Sequence, residues 1–415
     1  MQSRTYRQPG LVVTEHTLPV PLDHAAPDGE QIEVFARAVV AVDRATDDLP
    51  WLVFFQGGPG FEGPRPESVD AIAWLPRALA DFRVLLLDQR GMGRSTPIGP
   101  RDALTTAPQQ LADRLALHRA DAIVEDAECF RRALDVDRWS ILGQSFGGFC
   151  SLVYLSRHPG SLREALITGG LPPLDAGIDD VYRATYRAMA DKTSAYYERY
   201  PEDRERIARV VDLVTSDDVR LPGGDRLTHA RLRHLGILLG MGPGAERLHH
   251  VLELPPGSPA FLHDVEHLTT FGRNPLYAVV HESCYANGIT TSWSAQRVLP
   301  DAYADDPALL TGEHIYPWMF DDMAALAPFR ETAHLLAERA WPTLYDAKVL
   351  AANEVPCAAA IYVDDMYVPR EYSEDTARRV RGLRPWITNE YEHDGIRAGA
   401  PRVLDHLLAL ARGNA

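Results

Sequence analysis

The sequence predicts a doubly wound, mostly parallel α/β sheet with a helical insertion between two of its strands. Three observations predict it. Short continuous apolar runs end in glycine-rich turns, as strands covered on both faces do. Stretches with amphipathic helical spacing alternate with those runs. A long polar stretch, rich in Arg and Tyr, then breaks the alternation before it resumes near the end of the chain.

Taken in order, Gln31 to Ala41 puts Ile32, Val34, Ala36, Ala38 and Val40 on one side, the period of a half-buried strand, and with Leu11 to Leu18 it predicts an opening antiparallel hairpin. Leu52 to Phe55 and Val84 to Leu87 read as parallel-sheet strands. Between Asp121 and Asp135, Ile123, Ala127, Phe130 and Leu134 recur at helical spacing. Strand Trp139 to Leu142 follows, then a tight glycine turn, a helix over Phe149 to Leu155 stopped near Pro159, and strand Ala165 to Thr168. From about Pro172 to Ala347 the chain is helical and loop-rich, with no internal repeat. Strands resume at Cys357 to Val363 and Trp386 to Tyr391. The expected organisation is therefore one interrupted α/β core, residues 1–171 and 348–415, with a helical cap over 172–347.

Composition bounds the function. The 415 residues are 46% hydrophobic and 24% charged, which suits a globular chain with a full core and excludes a disordered or fibrous one. A balance of 42 Lys plus Arg against 58 Asp plus Glu gives −16, which repels nucleic acid and anionic membrane surfaces. Cys129, Cys150, Cys284 and Cys357 lie far apart with no C-x-x-C pair, so neither a disulfide framework nor a zinc knuckle is expected, and the thiols are read as reduced. The first ten residues lack the apolar run of a signal peptide, and no run approaches the length of a membrane span; a cytoplasmic location is the expectation.

Gly143-Gln144-Ser145-Phe146-Gly147-Gly148 fits G-x-S-x-G between a strand and a helix, where a nucleophile elbow belongs. The turn is too sharp for a Cβ at the flanking positions, and it holds Ser145 strained with its hydroxyl presented. Ser145 is the expected nucleophile. An acyl-transfer site also needs amide donors for the developing oxyanion. The amide of Phe146, directly after the nucleophile, supplies one; Gln56-Gly57-Gly58-Pro59-Gly60, after strand Leu52 to Phe55, supplies the other through Gly58, with Gly57 as the alternate. Acid and base should follow in later strand-end loops. Asp364-Asp365 follows one late strand and Glu392-His393-Asp394-Gly395 the other, so His393 is the expected base and one of the two aspartates its partner.

Together these residues resemble the proline iminopeptidases, serine aminopeptidases of the α/β-hydrolase fold. That family carries H-G-G-P-G, then D-Q-R-G-x-G-R-S, then G-x-S-x-G-G. Here they stand as Gln56 to Gly60, Asp88-Gln89-Arg90-Gly91-Met92-Gly93-Arg94-Ser95, and Gly143 to Gly148, in that order. The resemblance runs through the whole chain, with the cap more divergent. It selects Asp365 over Asp364, because Asp365 stands four residues before Pro369 as the family's acid does before its proline. One departure is Gln56 in place of the leading histidine, which alters the hydrogen bonding around the oxyanion turn and removes no amide. The resemblance also implies acidic cap residues that bind the substrate's amino terminus. The segments Asn274 to Glu282 and Thr311 to Trp318 look like the elements that carry them, which makes Glu282 and Glu313 the expected clamp. Tyr316, Trp318 and Phe320 read as core.

The expected activity is release of N-terminal proline, or a similar small apolar residue, from short peptides with a free amino terminus, without cofactor or metal. An esterase or amidase using the same triad is the rival among enzymes, and a catalytically silent binding protein is the rival outside them. His263-Asp264-Val265-Glu266-His267 matches the zinc-protease pattern H-x-x-E-H, but with no distant ligand indicated it reads as a solvated helix face.

Overall fold

The computed structural model describes residues 1–415. Nine strands form a single sheet in the order β1-β2-β3-β5-β4-β6-β7-β8-β9. They are β1 Gln2–Gln8, β2 Leu11–Pro21, β3 Gln31–Ala41, β4 Trp51–Phe55, β5 Arg83–Leu87, β6 Trp139–Gln144, β7 Leu162–Thr168, β8 Cys357–Tyr362 and β9 Leu383–Thr388. The first three pair antiparallel and β3 joins β5 antiparallel; every later pair is parallel.

The expected hairpin is present, extended by an edge strand, β1, that hydropathy did not reveal because its residues are mostly exposed. The helix after the glycine turn begins at Phe146 rather than Phe149 and runs to Arg157. The last strand lies three residues earlier than its apolar run suggested, and its side chains alternate only weakly because it closes the sheet at the other edge.

Alternation along the central strands divides the core between the two faces. Leu85 and Leu87 of β5 pack with the helices Ala120–Ala133 and Phe146–Arg157, whereas Val84 and Leu86 pack with Leu75–Asp81 and Arg402–Arg412 on the other side. This is the doubly wound architecture, and it turns the carboxyl ends of β4, β6, β7, β8 and β9 toward one edge. Between β7 and β8 the chain forms helices and loops, from Ile178–Arg199 to Ala347–Ala351, whose apolar residues share the larger core cluster. No helix is long and apolar enough to cross a membrane.

Candidate active site

Ser145 stands between β6 and the helix Phe146–Arg157 with φ 55° and ψ −123°, a conformation costly for any residue with a Cβ. Its neighbours enforce that backbone. Ser145 N donates to Thr168 O at 3.0 Å and Ser145 O accepts from Gly148 N at 2.7 Å. A Cβ on Gly143 would run into Gly147 O, and one on Gly147 into Phe55 O. The hydroxyl itself makes no hydrogen bond within the fold.

His393 lies in the loop after β9 and donates from Nδ1 to Asp365 Oδ2 at 2.7 Å. Asp365 is 4% exposed and its other oxygen accepts from the amides of Tyr367 at 2.8 Å and Val368 at 3.0 Å. A carboxylate so filled is an acceptor only, so the imidazole proton sits on Nδ1 and Nε2 is left as the basic nitrogen. Asp364, by contrast, is exposed. Burial by itself would push His393 down; the Asp365 carboxylate, and then Glu313, outweigh it and hold the imidazole above its ordinary 6.5. The ring packs over Gly169, where a Cβ would sit 3.2 Å from Nδ1, one residue beyond the carbonyl that holds the Ser145 amide. Ser145 and His393 are thus both packed against one short segment, Thr168 to Gly170.

Phe146 opens its helix, so its amide has no acceptor one turn back and carries the helix's positive end. In the turn after β4, the backbone of Gly57 runs against Ser145: a Cβ there would lie 3.6 Å from Oγ. Gly58 follows at φ 127°, open only to glycine at low cost. The D-Q-R-G-x-G-R-S segment braces this turn. Gln89 Nε2 donates to Gln56 O at 2.8 Å, and Asp88 accepts from Gly63 N at 3.1 Å and Arg94 N at 2.9 Å. Arg90 is buried against Asp126 and the carbonyls of Leu22 and Leu117.

The two glutamates differ in their surroundings. Glu313, half-buried, accepts from Tyr277 Oη at 2.5 Å, and burial raises its carboxyl to about 7. Glu282 is 7% exposed; its Oε1 accepts from Ala295 N at 3.0 Å while its Oε2 has no partner, and burial raises it likewise to about 7. Both charges act on one buried phenol, Tyr182, whose hydroxyl is itself unpartnered.

This geometry has relatives. The α/β hydrolase fold family matches residues 50–211. A proline iminopeptidase of Aeromonas sobria is 46% identical over 416 residues, covering 97% of this chain and 97% of its own. The chain belongs to the proline iminopeptidase family. A second proline iminopeptidase, from Aspergillus aculeatus, is 34% identical over 427 residues, covering 96% of this chain and 93% of its own.

Several groups that build this proline iminopeptidase site were not visible in the sequence. The helical insertion grips the histidine loop at three points: Gly240 O accepts from His393 N at 3.1 Å, Asp394 Oδ1 from Gly242 N at 3.1 Å, and Glu392 from Lys192 Nζ at 2.6 Å. Tyr277, the donor to Glu313, carries no sequence signal of that role. No local pattern announces such pairs, since their members are scores of residues apart. Tyr316 and Phe320 lie in the core, Tyr316 hydrogen-bonded to the Tyr186 hydroxyl at 2.7 Å. His263 and His267 are exposed, and Glu266 accepts from Gly223 N. The one cluster with metal-ligand spacing, Glu202, Asp203 and His249, has its central carboxylate already taken by Arg206, His249 and Tyr196.

Proposed function

We propose that this chain is a serine aminopeptidase that releases N-terminal proline, or a similar small apolar residue, from short peptides. Ser145 Oγ attacks the carbonyl of the first residue as His393 Nε2 takes its proton. Asp365 keeps the imidazole in the right tautomer and stabilises the imidazolium. The amides of Phe146 and Gly58 receive the oxyanion. His393 then protonates the leaving amine, and water, activated by the same nitrogen, releases the acyl group from Ser145. Residues 1–171 and 348–415 act as the catalytic core and 172–347 as a cap that limits access to the amino terminus.

The observation that carries the reading is Glu313, a carboxylate of the insertion that accepts from Tyr277 Oη and is shielded enough that burial raises it to about 7. An esterase has no use for a negative charge there, whereas a substrate ammonium recovers its desolvation cost against one. Glu282 would complete the clamp. An ammonium seated there lowers both carboxyls from about 7 into their charged form.

The test compares a prolyl anilide with its N-acetylated form. The free amine should be cleaved at least ~100-fold faster, the range expected for a lost buried charge pair. Equal rates would favour the esterase reading, and a folded protein that no fluorophosphonate labels at Ser145 would favour a binding role.

A further inference from the structure

The turn that carries Gly58 is unusual in what holds it. No residue from Gly57 to Gly63 makes a backbone-to-backbone hydrogen bond. Three side chains tether it instead. Gln89 holds the carbonyl of Gln56 and Asp88 the amide of Gly63, both from the core. The third tether comes from the insertion: Asn274 Nδ2 donates to Gly60 O at 3.0 Å and to Glu62 Oε2 at 3.2 Å.

Asn274 is itself oriented. Arg273 Nη1 donates to Asn274 Oδ1 at 2.9 Å and to Glu62 Oε2 at 3.2 Å, which turns the amide nitrogen toward the Gly60 carbonyl. Glu62 is 9% exposed and collects Arg273, Asn274 and Arg65. Tight packing backs the polar contact. A Cβ on Gly60 would meet the backbone of Tyr277, and the Phe61 ring stands edge-on to Tyr277 at 5.3 Å. Tyr277 is also the donor to Glu313.

We infer that Glu62, Arg273 and Asn274 form a latch through which the cap positions the oxyanion turn. They are positioning residues, acting through Gly60 on the amide two residues earlier. Seating of the segment Arg273 to Tyr277 then fixes the tyrosine that holds Glu313 and the turn that receives the oxyanion in one movement. An open cap leaves the turn with its core tethers alone. Binding energy gathered at the amino terminus is in this way expressed in the rate of acylation rather than in affinity alone.

This inference rests on the Ser145 and Gly58 assignments above, so the experiment separates the two. Asn274→Asp keeps the shape but removes the donor and sets a second carboxylate against Glu62; Glu62→Gln is an isostere that removes the charge. For wild type, both single variants and the double variant, kcat and KM are measured on prolyl anilide, with the rate of fluorophosphonate labelling. Each single variant should lower kcat by ~10–100-fold, somewhat less than removing an oxyanion donor outright. KM should change by less than about threefold, labelling should slow in parallel, and the double variant should lose less than the product of the singles, as partners in one network do. Wild-type kcat in a folded single variant, a loss confined to KM, or undiminished labelling would each overturn the latch. A wild-type protein that does not label overturns the site assignment and the latch with it. Should Asn274→Asp fail to fold, Glu62→Gln decides alone.

Discussion

In the core, Ser145 directly follows β6, and Asp365 and His393 stand in the loops just beyond β8 and β9, held by backbone groups: Thr168 O of β7 for the serine, and the Tyr367 and Val368 amides of its own loop for the aspartate. In the insertion, Glu282, Glu313 and Asn274 stand on short helices and loops and are held one by one: Glu282 by the Ala295 amide, Glu313 by the Tyr277 hydroxyl, and Asn274 by its reach to Gly60 O across the interface. On the proposed function, the core groups do chemistry on an acyl carbon, while the insertion groups select which acyl carbon arrives. On those roles the contrast teaches that strand-end backbone geometry sets up the reaction, while groups assembled by the insertion set the selection.

The largest expected effect breaks the core side of this contrast. Asp365→Asn keeps the shape but favours the wrong imidazole tautomer, and kcat should fall by ~10⁴ on amine and acetylated substrates alike. Steady-state kinetics on both substrates check it, and a loss confined to one of them would contradict a purely chemical role. Next comes Glu313→Gln, which should raise KM or lower kcat/KM by ~100-fold for the free amine and leave the acetylated substrate nearly unchanged. If both substrates lost equally, Glu313 would belong with the chemistry and the division would fail.

The smallest effect is on stability, and it sharpens the comparison by asking what an unoccupied clamp costs. Glu282 has its carboxyl at about 7 in the fold against an ordinary 4.5. A raised acid favours the protonated fold, so its contribution is full below 4.5 and is lost as pH rises from there through about 7. The loss is up to about 3 kcal/mol. Glu282→Gln should therefore unfold like wild type near pH 4.5 and be the more stable protein at pH 8, by denaturant titration at both values. Identical pH slopes in the two proteins would mean that Glu282 is not a strained, substrate-awaiting charge. Glu62 provides the opposite sign: Arg273 and Asn274 hold it at about 2 against its burial, so its stabilising contribution persists above 4.5 and fades only as pH falls toward 2.

What could be read from the chain follows the same division. The central strands showed as apolar runs because both of their faces are covered; β1 and β9 were missed or misplaced because edge strands bury too little to mark their own limits. The glycines around Ser145 were legible because only glycine fits beneath Phe55 O and against Gly147 O. Gln56 in place of histidine removed no amide, and the structure puts one of the three tethers of that turn on the backbone carbonyl of Gln56, held by Gln89.

The sequence by itself determined the strand order's local pieces, the strained serine and the succession of serine, aspartate and histidine, since each depends on a few consecutive residues and on backbone sterics. The choice of Asp365 over Asp364 needed the family resemblance, and only the tertiary structure decided how far each glutamate is removed from water and that Asn274 reaches across to Gly60. Those outcomes depend on desolvation and on contacts between segments from about a dozen to over two hundred residues apart. Such quantities exist only once the chain has closed on itself.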